Sequence, residues 1–74
     1  MDRVGFLNQL QILLELPSNT LNGSERLADL ESWNSLAVIG LMALVNEQYG
    51  LVLSPKKISE ASTIDDLANL VAAG

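Results

Sequence analysis

Few side chains in this 74-residue chain can do chemistry, and their scarcity narrows the reactions open to it. There is no cysteine and no histidine. A thiol nucleophile and an imidazole base are therefore excluded, as is a zinc site built from Cys and His. The carboxylates are scattered except at Asp65-Asp66. Two adjacent carboxylates suit a helix N-terminus, where the dipole favours negative charge, better than an acid–base pair. That leaves hydroxyls. Ser35 follows Asn34 at the head of an apolar run, and on pattern alone it reads as an ordinary first-turn helix residue. An enzyme acting by itself is not expected.

Composition narrows the partners as well. Nine acidic residues against four basic ones give a formal charge of −5. Phosphate backbones and anionic membrane surfaces are bound by Lys and Arg clusters, so no nucleic-acid partner is expected. No stretch reaches the roughly 18 to 20 apolar residues of a membrane span, so no membrane insertion is expected. Met1-Asp2-Arg3 carries mixed charge and does not read as a signal peptide. A cytoplasmic protein is the expectation. The length implies one domain, residues 1–74. With no disulfide available, stability must come from the core, and 49% of the residues are apolar.

The elements that position Ser35 are legible from spacing and caps. Phe6, Leu7, Leu10, Leu13 and Leu14 form one stripe of a first helix, expected from Arg3 to Leu16, with Asp2 as N-cap. Pro17 disfavours helical geometry at Leu16 and ends it. Residues 17 to about 33 have no period; Leu21, Leu27 and Leu30 are spaced so as to pin this long loop to the core. The second helix is expected from Ser35 to Tyr49, with Asn34 as N-cap and Gly50 in the left-handed position after it. Ser54-Pro55 opens a short third helix ending near Ser59. Thr63, with Asp66 three residues on, opens a fourth whose buried stripe is Ile64, Leu67, Ala68 and Val71. The fold class is all-α: a small four-helix bundle, three longer helices and one short, with a long loop between the first two.

Helix two has two apolar faces. Val38, Leu41, Met42, Val45 and Tyr49 follow helical spacing and make the core face. Leu36, Ile39, Gly40, Ala43 and Glu47 lie opposite. A small protein does not leave Leu36 and Ile39 in water without cause, so this stripe is a candidate partner surface.

The layout, with Trp33-Asn34-Ser35-Leu36 at the start of helix two, resembles the acyl carrier protein family, whose attachment site reads Asp-Ser-Leu. Leu41, Tyr49-Gly50 and the run Ser62-Thr63-Ile64-Asp65-Asp66-Leu67 extend the resemblance over nearly the whole chain. It implies a non-catalytic carrier. A phosphopantetheinyl transferase would move 4′-phosphopantetheine from coenzyme A to Ser35, flanked by Asn34 and Leu36. The phosphodiester would face free N–H groups at the helix start. Acyl groups would ride as thioesters on the arm of a monomer and be exchanged with acyl-loading and acyl-transferring enzymes. Val38, Leu41, Met42, Val45, Ile58 and Leu67 would wall the interior that shelters the acyl chain. The chain departs from the family in two ways. Asn34 replaces its Asp, and Ala37, Gly40, Asn46 and Gln48 stand where acidic residues usually line helix two. A dedicated fatty-acid, polyketide or related pathway fits better than general fatty-acid synthesis. A peptidyl or aminoacyl carrier and an unmodified helical interaction module remain the alternatives.

Overall fold

A computed structural model of the chain describes residues 2–73. Met1 and Gly74, the two ends of the expected 1–74 domain, lie outside the described residues. Among those described the fold is all-α. Helices α1 (Arg3–Leu13), α2 (Ser35–Tyr49), α3 (Pro55–Ser59) and α4 (Ile64–Ala73) are joined by loops, with one turn of 3-10 helix at Leu27–Asp29 in the long first connection. The core is closed where the stripes meet. Phe6, Leu10, Leu41, Val45, Ile64 and Leu67 are completely inaccessible. Removing that apolar surface from water is the main favourable term. The Phe6 and Tyr49 rings add a tilted pair with centroids 6.4 Å apart across α1 and α2.

Helix α1 stops at Leu13, short of the Leu16 expected from Pro17. The terminus is a complete Schellman motif. Glu15 N–H donates to Ile12 O, Leu16 N–H donates to Gln11 O, and Glu15 takes the left-handed conformation at φ 57°. Such a cap needs two residues beyond the last turn, and a proline that forbids helix at Leu16 places it there. A sequence scan looks for Gly in the left-handed position, and here it is Glu. At the other end Asp2 occupies the N-cap position, but its side chain makes no capping hydrogen bond.

The long loop is tied down by backbone rather than by leucines alone. Leu21 and Leu27 are buried and Leu30 is half-buried. Gln11, a buried polar side chain of α1, accepts the Leu21 N–H at 2.8 Å. Glu25 accepts the N–H groups of Asn22 and Gly23. The loop then docks on the start of α4: Leu27 N–H donates to Ser62 O, Ile64 N–H to Glu25 O and Asp65 N–H to Gly23 O. These are helix donors with no partner inside their own helix. The expected capping box closes the same end. Asp66 N–H donates to Thr63 Oγ1, while Asp66 Oδ2 accepts from Ser62 and Thr63 N–H. Those two N–H groups hold the Asp66 carboxyl below the ordinary aspartate range. Its contribution is therefore present at neutral pH and is lost as the pH falls through that lowered value.

Arg3 spans this junction, donating to Asn22 O and pairing with Asp65. Gly23, at φ 111°, lies beneath that pair, and a Cβ there would run into both Arg3 and Asp65. Gly23→Ala therefore combines an unfavourable backbone conformation with a steric conflict. It is expected to cost about 2 to 3 kcal/mol, seen as a fall of about 10 °C or more in the thermal midpoint. A midpoint within about 2 °C of the parent would contradict the docking described.

Candidate functional site

The head of α2 is built from its cap. Asn34 is extended (φ −144°, ψ −174°), and its Oδ1 accepts the Ala37 N–H at 3.0 Å. Its backbone carbonyl accepts the Val38 N–H at 3.0 Å. Upstream, Trp33 N–H donates to Leu30 O, so the turn leading into the helix is fixed as well. Ser35 is thereby the first helical residue, and its side chain is exposed. The N–H groups of Ser35 and Leu36 have no acceptor among the described residues. The first turn carries no carboxylate. An exposed hydroxyl thus stands at the positive end of a four-turn helix, with donors pointing outward and nothing there to repel an anion.

Beside Ser35 lies an open groove of about 500 Å³ between α2 and α3. Trp33, Val38, Ile39 and Met42 line it from the α2 side. Pro55 and Ile58 line it from α3, Ser35 and Ser59 supply hydroxyls, and Trp33 adds an indole N–H to an otherwise apolar lining. Of the six residues expected to wall an acyl-chain interior, Val38, Met42 and Ile58 lie on this groove. Leu41, Val45 and Leu67 do not: each is completely buried in the closed core beneath. They lie on the inward centre of their helices, while the groove opens along the edge of the α2 core face. Trp33, Ile39, Pro55 and Ser59 were not among the expected lining residues. Ile39, expected on the opposite stripe, reaches the rim of the groove beside Val38. Nothing local in the sequence shows that the loop before α2 and the start of α3 approach each other.

The opposite stripe of α2 is only partly free. Leu36 and Ile39 are 76% and 62% exposed, and Ala43 and Glu47 are exposed. Gly40 is not part of that open face. A Cβ at Gly40 would sit 2.6 Å from Leu13 Cδ1, so α1 packs directly over it. A second hollow, of about 450 Å³, separates the end of α1 from the head of α2, and Ser35 does not line it.

A family model for the phosphopantetheine attachment site matches residues 6–71. The chain belongs to that family. Searches of curated proteins and of solved structures gave no match. The family resemblance read from residues 33–36 and 62–67 is thus shown over nearly the whole chain, and the chain is a phosphopantetheine-carrying carrier protein. Its prosthetic group is 4′-phosphopantetheine, and the partners of such carriers are the enzymes that modify them and handle their acyl groups. Carrier domains are generally not catalytic themselves. The head of α2 has the chemistry the group requires: a hydroxyl to esterify, free donors for a phosphodiester and no competing carboxylate. Among the described residues no helix is long and apolar enough to cross a membrane.

The start of α2 depends on the Asn34 cap. Asn34→Ala is expected to lose about 1 kcal/mol of stability, whereas Asn34→Asp keeps the cap and the stability. Chemical denaturation of the three proteins measures this. Equal midpoints for Asn34→Ala and the parent would show that the side chain does not hold the start of α2.

Proposed function

We propose that the chain, as one carrier domain over residues 1–74, bears its phosphopantetheine on Ser35. It delivers acyl groups to the enzymes of a dedicated fatty-acid, polyketide or related pathway, as a monomer in the cytoplasm. The observation that carries this reading is the position of Ser35, exposed at the head of α2 and on the lip of the groove. The Ser35 hydroxyl would be the group esterified. Its oxygen would bond to the pantetheine-side phosphorus of coenzyme A, the pyrophosphate P–O bond would break, and adenosine 3′,5′-bisphosphate would leave. The serine proton would pass to the transferase or to water. Leu36 N–H, without an acceptor among the described residues, would be available to the resulting anion, and the Asn34 cap would hold the first turn in place. Once attached, the group supplies a terminal thiol on which acyl groups are held as thioesters. The protein's share is position and shelter.

The test is a reaction of the purified chain with coenzyme A and a phosphopantetheinyl transferase. One phosphopantetheine mass is expected on the parent and none on a folded Ser35→Ala. Modification of that variant, for example at Ser32, would overturn the assignment.

Leu36, Ile39, Ala43 and Glu47 are proposed as the surface that the transferase covers to reach the serine. Only Glu47, at the far end, is charged. Contact then rests on apolar burial, at about 25 cal/mol per Å², more than on charge steering. Leu36→Glu is expected to slow modification by about tenfold or more, while the parent rate changes little between low and physiological salt. A carboxylate in the first turn suits the helix dipole, so the variant stays folded. A parent rate that collapses with added salt would reject the surface.

A further inference from the structure

We infer that Asn22-Gly23 is a self-modification site, where the asparagine side chain loses ammonia through a cyclic imide, and that docking of the first loop on α4 keeps it closed. Asparagine is a thermolabile residue. Its side chain is lost when the next backbone nitrogen attacks Cγ. Of the asparagines in the chain, Asn22 alone is followed by glycine, which has no side chain to shield that nitrogen. Asn22 is exposed, so water can reach Cγ and ammonia can leave. Water is the only co-reactant. Gly23 N–H gives its proton to hydroxide as the nitrogen bonds to Asn22 Cγ. The Cγ–Nδ2 bond breaks, and the departing amide takes a proton from water and leaves as ammonia. Water then adds to the five-membered imide. Opening at Cγ leaves Asp at position 22. Opening at the backbone carbonyl leaves an isoaspartyl link, in which the chain runs through Cβ and Cγ and is one atom longer.

Docking fixes both partners of this attack. Gly23 is buried, and its N–H donates to Glu25 Oε1 at 2.9 Å. At the other edge of the same peptide plane, Asn22 O accepts from Arg3 Nη2 at 2.9 Å. Beyond it, Gly23 O accepts the Asp65 N–H at 2.8 Å. The nitrogen attacks through the face of a planar peptide, so the plane must turn toward Cγ, and turning it breaks the bonds at its edges. The Asn22 side chain is held too: its Oδ1 accepts from Ser24 N–H at 2.8 Å and from Ser24 Oγ at 2.7 Å. Those donors also draw charge from Cγ, so the protection is geometric and the carbonyl stays activated. Reaction therefore awaits opening of the loop. The two products then differ. Asp at position 22 can accept the same bonds from Ser24. The isoaspartyl link adds an atom between the bonds to Glu25 and the bond to Asp65, and the docked register is lost. A transient opening becomes a permanent one.

The full chain, with and without its prosthetic arm, is incubated at mildly alkaline pH, and a second sample is held unfolded in guanidinium chloride. Peptide mapping by mass spectrometry locates each amide that has become an acid, and an isoaspartyl methyltransferase labels the longer link. Asn22 is expected to react before any other asparagine, and about tenfold or more slowly in the folded chain than in the unfolded one. Glu25→Gln offers one acceptor oxygen where the carboxylate offers two, and is expected to speed the reaction of the folded chain about fivefold. Should that variant not fold, Arg3→Ala, at an exposed position, releases Asn22 O and is expected to act in the same direction with the helices retained by circular dichroism. The isoaspartyl fraction, separated by ion exchange, is expected to melt about 4 °C or more below the parent, and Asn22→Asp within about 2 °C of it. Equal rates in folded and unfolded chains, an unchanged rate in a folded variant, earlier reaction at another asparagine, or an isoaspartyl fraction as stable as the parent would overturn the inference.

Discussion

The docking of the first loop onto the first turn of α4 is the constraint on which the other elements depend. A chain of 74 residues with no cysteine has no covalent staple to hold a long connection. Such a loop carries backbone groups that must be paired and a closure entropy that must be offset. At the same time α4 presents donors with no partner of their own. The Gly23, Glu25 and Leu27 backbone meets Ser62, Ile64 and Asp65, and each side removes the other's deficit. Leu21 and Leu27 then enter the core from fixed positions, and the turn at Leu30 and Trp33 delivers the chain to Asn34. The location of the serine is thus set from a helix remote in sequence.

Helix α2 divides its length between two tasks. Its middle is committed to the core through Leu41 and Val45, and to α1 through the contact of Gly40 with Leu13. Its head is held only by local bonds, those of Asn34 with Ala37 and Val38. A rigid middle with an exposed head lets a group attached at the first turn project into solvent without disturbing the packing. The left-handed Glu15 belongs to the same economy of space. Strain of about 1 kcal/mol there turns the chain away at Leu13, so that α1 ends against Gly40 and does not run past the head of α2.

What could be read from sequence was whatever local chemistry decides. Asn34, Gly50, Ser54-Pro55 and Thr63 with Asp66 are caps whose partners lie within a turn. The bounds of α2 and α3 and the opening of α4 match expectation for that reason. The stripe of α4 was equally legible, since its period is a property of one helix. The end of α1 was not, because a Schellman motif closed by Glu lacks the glycine that normally marks it. Gln11 gave no signal at all: its role exists only once Leu21 is beside it. The groove shows the same limit more sharply. Periodicity grouped Leu41, Val45 and Leu67 with Val38, Met42 and Ile58 because all are apolar and face inward. Only the placing of α3 on α4, across the groove from α2, separates residues at the edge of a face from those at its centre.

Electrostatics follow a similar division. The chain is acidic, yet much of its negative charge has a structural use. Glu25 closes the loop turn, and Asp66 caps α4. Asp65 pairs with Arg3. Partial burial pushes the Glu25 carboxyl up. The N–H groups of Asn22, Glu25 and Gly23, with Arg3 nearby, outweigh it and leave the carboxyl below the usual glutamate range. Helix α2, by contrast, carries a single carboxylate, and its cap is a neutral amide. Around the serine, long-range fields are therefore weak and short-range contact is what remains to distinguish one partner from another. A surface of that kind recognises by shape: Leu36 and Ile39 contribute only where a partner excludes water from them, and a poorly fitting partner gains nothing from charge at a distance. The neutral cap and the carboxylate-free first turn extend this across the head of the helix, so short-range fit decides what can approach Ser35.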